Sequence, residues 1–344
     1  MLTYILKRIL LMVPTLLGAL TITFIVIQFV PGGPIDQIMA EARASQKGDG
    51  ISYKASRDSD AKQIAELKKL YGFDKPAHVR YFEMLGNFLR FDLGRSFLHN
   101  KDVWQLIKEK LPVSISLGMW TFLFSYLISL PLGIAKAVRE GTRFDVITSL
   151  VVLIGYAIPG FVLGIFLIVM FSGGTFLEWF PLRGLTSDNW ADLTWPARIT
   201  DYFWHLSLPL ICMVIGSFAV VTMLTKNTFV EEMRKQYVLV AKAKGLSDRK
   251  VLFKHIFRNA MIPLVTGFPH AFMGAFFAGS VLIETLFSLD GLGLLSFESV
   301  VRRDYPVVLG SLYLFTLIGL VVKLISDLLY VMVDPRIQFN AVAK

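Results

Sequence analysis

The stretch VLVAKAKGLSDRKVLFKHIFRNAMIP, Val238 to Pro263, lies across the connection between two apolar blocks, Leu206–Thr225 and Ala260–Ile283. Each block holds the roughly 20 uncharged residues that a bilayer crossing needs. A turn of a few residues would join two such spans, yet this connection carries nine Lys and Arg residues between Lys226 and Arg258. A connection of that length is either functional or disordered.

The pattern argues against disorder. Thr228–Glu231 (TFVE) fits a capping box, in which a Thr hydroxyl and a Glu carboxylate satisfy free backbone donors at a helix start. Val230, Met233, Tyr237, Val240 and Ala241 then form an apolar stripe at helical spacing. Gly245 is placed to end that helix in a left-handed cap. Ser247 or Asp248 is placed to start a second helix, which carries Val251, Leu252, His255, Ile256 and Asn259 and runs to Pro263. The segment is therefore expected to be a helix, a glycine turn and a helix. Its basic charge would suit an interfacial hairpin on anionic lipid. The small Ala241 and Ala243 beside Gly245, clamped by a span at each end, suit a rigid surface inserted into a partner protein.

Outward from this stretch, four further blocks qualify as spans: Ile9–Val30, Leu111–Ala135, Val146–Phe171 and Pro306 to about Asp327. The chain is 54% hydrophobic, with a mean hydropathy of +0.58, and an all-α integral membrane protein of six transmembrane helices is expected. The first block is longer than the 7 to 15 apolar residues of a signal-peptide core, so a retained anchor is expected. With the N-terminus inside, the inside segments hold sixteen Lys and Arg and the two short outside loops four, Arg183, Arg198, Arg302 and Arg303. That asymmetry places both termini in the cytoplasm. The net charge of +9 is then a topology signal, and no nucleic-acid partner is expected.

Residues 31–110 would form an extracytoplasmic platform, with a polar, mobile loop at 41–60 followed by short amphipathic helices broken at GFDKP, Gly72–Pro76. Residues 1–30 hold the first span and 111–344 the remaining five, with the connecting loop at 226–262. The single Cys212 excludes a disulfide framework within the chain. The five His residues show no metal-ligand spacing, and no phosphate-binding G-x-x-x-x-G-K-[ST] loop occurs. No cofactor is expected on this chain, and any nucleotide hydrolysis falls to a partner.

The stretch resembles the coupling loop of permease subunits in binding-protein-dependent ABC importers, in the form used by the oligopeptide and dipeptide branch. The likeness rests on Ala241–Gly245 (AKAKG) and Asn259–Pro263 (NAMIP), with Gly and Pro 18 positions apart; the chain departs from the general family's Glu-Ala pair at Leu239 and Val240. It extends to KRILLMVPTLLGALTITFIVIQFVPGGP (Lys7–Pro34), YGFDKPAHVRY, RFDLGRSF, LIETLFSLDGLGLL (Leu282–Leu295), RDYPVVLG (Arg303–Gly310) and VDPRI (Val333–Ile337). Only 41–60 lies outside it.

The resemblance implies a type I ABC importer permease fold in the bacterial inner membrane. It implies a heterodimer with a second homologous permease, cytoplasmic ATPase subunits that carry ATP and Mg, and an extracytoplasmic peptide-binding protein. It also makes Ala241, Ala243, Gly245, Leu246, Ser247, Asn259 and Pro263 the ATPase-coupling residues. Polar residues inside the membrane are functional candidates by default, which adds Gln28, Tyr126, Tyr156, Asn227, His270 and Glu284 for the translocation path. A secondary transporter would need midplane carboxylates or a repeated half, and an enzyme on the outer platform would need a nucleophile with its base or a metal cluster. Neither pattern is present in the sequence.

Overall fold

The computed structural model of the chain describes residues 2–30, 73–174, 176–277 and 281–333. The 41–60 loop and the first expected platform helix, at 64–71, lie outside them. Among the described residues there are helices and no strand, apart from a single bridge between Arg95 and Asp102.

Among the described residues four helices are long and apolar enough to cross a bilayer. They are α1 (Leu2–Phe29), and, taking the chain in order past α2 (Ala77–Leu89), α3 (Val103–Val138); then, after α4 (Arg143–Ala157) and α5 (Gly160–Phe171), α6 (Trp195–Met233); and finally the helix Tyr305–Val333. The pair α4 and α5 would supply a fifth crossing, but they meet at 90°. The reason is local: Pro159 is the N-cap of α5, and Ile158 before it is extended at φ −84° and ψ 117°. A residue preceding proline is pushed out of the helical region. The uniform block Val146–Phe171 is thus two helices bent at Pro159 and not one straight span.

The amphipathic stretch before the second span is not a separate helix. It is the first two turns of α3, which continues through Pro112 and Pro131. After α6 come α7 (Gln236–Ala243) and α8 (Asp248–Val251). A π-helical turn at Leu252–Ile256 leads on to α9 (Phe257–Ala260) and α10 (Ile262–Phe277). The expected fifth block is divided between α10, of 16 residues, and α11 (Val281–Leu286). Next come α12 (Leu292–Val301) and α13 (Tyr305–Val333).

The described residues fall into two compact units. One comprises Pro112–Leu294 and the chain from Val321, the other Leu2–Leu111 and Leu295–Leu320. The core of the first is built from Leu117, Leu206, Leu208, Leu210, Cys212, Ile283, Phe287 and Leu289, so the lone cysteine is a packing residue. In the second unit Asp304 is fully buried and accepts the Ser96 hydroxyl at 2.5 Å and the Phe97 amide at 3.0 Å. Phe88 stacks at a tilt on Tyr313, with centroids 5.0 Å apart. Helix α2 is bonded to α1 at two points: Thr21 and Tyr81 share a hydrogen bond of 2.5 Å, and Arg80 donates to Gln28 at 2.7 Å. Of the apolar side chains on α2, Phe88 is buried while Phe82 and Leu89 are exposed.

Candidate functional site

The segment after α6 seats itself on the first unit through a core of its own. Val238 and Ala241 from α7, Val251 from α8, Ile256 and Ala260 pack on Phe229 of α6 and Ala137 at the end of α3. Burying an aliphatic side chain such as Val238 or Ile256 contributes about 1.5–3 kcal/mol relative to exposure, so the helix pair is fixed to the membrane helices. Polar contacts reinforce it. Arg234 reaches Glu140 in the α3–α4 turn at 2.9 Å, and Tyr237 donates to Glu232 at 2.7 Å. Burial, opposed by Asn259 and aided by Glu232, pushes the Tyr237 phenol above its ordinary pKa, so it stays a donor.

Gly245 ends α7 as expected, at φ +79°. The Gly245 amide donates to Lys242 at 2.9 Å and the Leu246 amide to Ala241 at 3.4 Å. That pair of bonds is a Schellman motif, and the packing of Leu246 on the core that holds Ala241 is its usual hydrophobic companion. Ser247 occupies the N-cap of α8, although its side chain makes no capping bond.

Two expectations about the start of the segment are corrected. Thr228 is not a helix N-cap: α6 runs through it to Met233, and its hydroxyl donates back to the Thr225 carbonyl at 3.0 Å. The helix breaks instead at Arg234 and Lys235 and restarts at Gln236. That break shifts the phase of the stripe, so Val238 is buried in place of Val240, which is 52% exposed.

The segment leaves apolar side chains on its outward side among exposed charged ones. Leu239 is 64% exposed and Phe253 56%. Ala243, Gly245 and Ser247 are exposed beside them, Leu246 is half-buried, and Ala241 faces the core. Asn259 is exposed and donates to the His255 carbonyl at 3.4 Å. Pro263 lies in the first turn of α10, where a missing N–H removes no helix bond.

A cluster that sequence reasoning missed lies beneath this segment. Lys136 on α3 is fully buried and donates to the Asp145 carbonyl at 3.0 Å, Thr148 at 2.9 Å and Ser149 at 2.7 Å. Its ammonium is 3.2 Å from the Asp145 carboxylate, which also accepts both bonds from Lys226 of α6 at 2.7 and 2.8 Å. A buried charge is tolerated only when it is paired and hydrogen-bonded, and here every donor has a partner. One turn away, α3 and α6 touch at Gly133, where an added Cβ would lie 2.5 Å from that of Thr225. The knot therefore locks α3, α4 and α6 together at the base of the helix pair. In the sequence Lys136 and Lys226 read only as topology charges.

The path candidates are scattered. Tyr126 lines a cavity of about 380 Å³ between α3, α6 and α10, with Ser125, Ser217 and Phe122 among its walls. Gln28 is engaged by Arg80, and Tyr156 and Asn227 are exposed on their helices. His270 lies on α10, with its side chain outside the described residues. Glu284 is fully buried and accepts the Leu294 amide at 2.7 Å, so its carboxylate caps the start of α12.

Residues 129–339 match the family described as binding-protein-dependent transport system inner membrane component, and the chain belongs to that family. It is a multi-pass protein of the inner membrane. It is 53% identical, over 98% of both chains, to the peptidoglycan transport system permease protein YejB of Agrobacterium fabrum. It is 50% identical to the inner membrane ABC transporter permease protein YejB of Escherichia coli O157:H7, over 98% of this chain and 99% of the relative. The oligopeptide transport system permease protein AppB of Bacillus subtilis is 33% identical over 98% of this chain and its own full length. Among solved structures, an inward-facing MetNI methionine ABC transporter chain aligns over 66% of this chain and 97% of its own, at 15% identity and a TM-score of 0.47.

Proposed function

We propose that the chain is one of two homologous permease subunits of an ATP-driven importer for oligopeptides or peptide-like compounds. In this reading six spans with both termini in the cytoplasm form half of a type I translocation pathway. An extracytoplasmic binding protein delivers substrate, and separate ATPase subunits carry ATP and Mg. The names of the relatives support peptide cargo, and that of the Agrobacterium relative points within this class to fragments of peptidoglycan.

The observation that carries the coupling role is the outward face of α7 and α8. A helix pair with a core of its own, glycine-capped and presenting Leu239, Val240, Ala243 and Phe253 to the exterior, is a rigid apolar contact. The same segment also exposes Lys242, Lys244, Arg249 and Lys250, which add positive charge to the contact. Closure of the ATPase pair on ATP would push the helix pair, and the Lys136–Asp145–Lys226 knot would pass that displacement to α3, α4 and α6. Such transmission needs packed elements that move as units.

A pull-down from detergent with this chain tagged tests the reading. Wild type is expected to retain both the second permease and an ATPase, and Gly245→Asp to retain the permease and lose the ATPase. An ATPase that stays with the variant, or never co-purifies with wild type, contradicts it.

A further inference from the structure

The second unit contains a cavity of about 440 Å³ where the end of α1 meets α2. Its walls include the rings of Phe24, Phe73 and Phe88, and its polar groups include Arg80, Gln28 and Arg95. Arg80 is held in place from two sides: its Nη2 donates to Gln28 Oε1 at 2.7 Å, and its guanidinium lies 5.0 Å from the centre of the Phe73 ring. Its Nε is buried and has no acceptor.

The carboxylates nearby are engaged elsewhere. Glu83 is paired with Lys75 at 2.6 Å, and Asp92 accepts the Gly94 amide at 3.0 Å. The Nε of Arg95 donates to the Asn100 carbonyl at 2.9 Å. The cavity therefore presents a preorganised guanidinium without a counter-anion among the described residues. Partial burial pulls the pKa of Arg80 below the ordinary arginine value, a cost that a bound anion would remove.

The depth of the site selects the anion. The apolar part of α1 runs from Tyr4 to Phe29, and at 1.5 Å per residue it covers the roughly 30 Å of a hydrocarbon core. Gln28, one residue from the end, thus sits at headgroup level. Only 6% of the apolar window of α1 is buried within this chain, against 44% for α6, so no other part of this chain shields it from acyl chains. Val26 and Phe29 on α1 and Phe82 on α2 are exposed apolar side chains of the same two helices.

We infer that this cavity binds the phosphate headgroup of an acidic phospholipid, with Arg80 as the anion receptor and the acyl chains lying along α1. Arginine pairs with phosphate through a planar fork of donors, and the Phe24, Phe73 and Phe88 rings give that contact apolar walls. The site is independent of the coupling role proposed for α7 and α8.

The test is native mass spectrometry of the full chain, with the subunits that co-purify, released from nanodiscs of phosphatidylethanolamine with or without phosphatidylglycerol. Wild type should retain phosphatidylglycerol in preference to phosphatidylethanolamine. Arg80→Gln should lower that retention about tenfold, Arg80→Lys should restore part of it, and His78→Ala, on the same helix but outside the cavity, should leave it unchanged. Equal retention by wild type and Arg80→Gln overturns the inference. So does displacement of the lipid by inorganic phosphate, which would indicate a site for free anions. Displacement by a tripeptide overturns it too, since it would make the cavity part of a substrate route.

Discussion

Asp145 ties three helices of the first unit together. It is the carboxylate shared by Lys136 and Lys226, and it accepts the Gly141 amide at 3.2 Å. Asp145→Asn leaves the fully buried Lys136 ammonium without a counter-charge, and breaking a buried pair in this way costs about 3–5 kcal/mol. The variant is expected to melt markedly lower in detergent. Adding Lys136→Met removes the orphaned charge, so the double variant should recover at least half of the loss. An Asp145→Asn protein that melts like wild type would show the knot to be dispensable. Gly133 makes a second residue-scale claim. Its substitution by Ala forces a methyl against Thr225 and the Thr222 carbonyl, and overpacking of this kind costs about 1–3 kcal/mol. Gly267→Ala on α10, where nothing lies within 4 Å, should be nearly neutral in the same melt.

At the scale of elements, the junction of α7 and α8 depends on one backbone conformation. Gly245 sits at φ +79° with open space where a Cβ would go, so Gly245→Ala is disfavoured by strain alone, about 1–2 kcal/mol. The expected outcome is a frayed α7 with faster amide hydrogen exchange at Leu246, whose bond to Ala241 completes the cap; unchanged exchange would contradict the Schellman assignment. Glu284 makes a parallel case for α12. Glu284→Ala removes the cap from the Leu294 amide, and loss of a helix cap costs about 1 kcal/mol, whereas Glu284→Gln keeps an acceptor and should retain most of the stability in a thermal melt.

How far these elements could be read in advance depended on whether the deciding interaction was local. Gly245 and the helices on either side of it were legible because a left-handed cap is a one-residue requirement. The Thr228–Glu231 box misled because its residues suit a helix interior as well as a start. No breaker separates it from α6, and a Thr inside a helix satisfies its hydroxyl on a carbonyl of the preceding turn. The bend at Pro159 follows from a local rule too, since the residue before a proline is pushed out of the helical region, but its 90° angle is not contained in that rule. The Lys136–Asp145–Lys226 knot joins residues 9 and 81 positions apart, and no spacing rule reaches that far.

For the whole molecule, apolar blocks and charge asymmetry set out a chain of membrane helices, and family membership agrees with them. The proposed topology places residue 189 outside and residue 244 inside. A membrane-impermeant maleimide should label Asn189→Cys in intact spheroplasts and Lys244→Cys only after the membrane is opened, with Cys212 silent because it is buried. The reverse order would invert the chain. The most direct test of the coupling claim uses the same chemistry across the proposed interface. Ala243→Cys, on the exposed face of α7, should form a short cross-link to a cysteine in the cleft of the ATPase subunit, and Ala241→Cys, which faces the core, should not. Cross-linking from position 241 but not 243, or from neither while the complex stays assembled, would contradict the outward face of α7 as the surface through which ATP drives this permease.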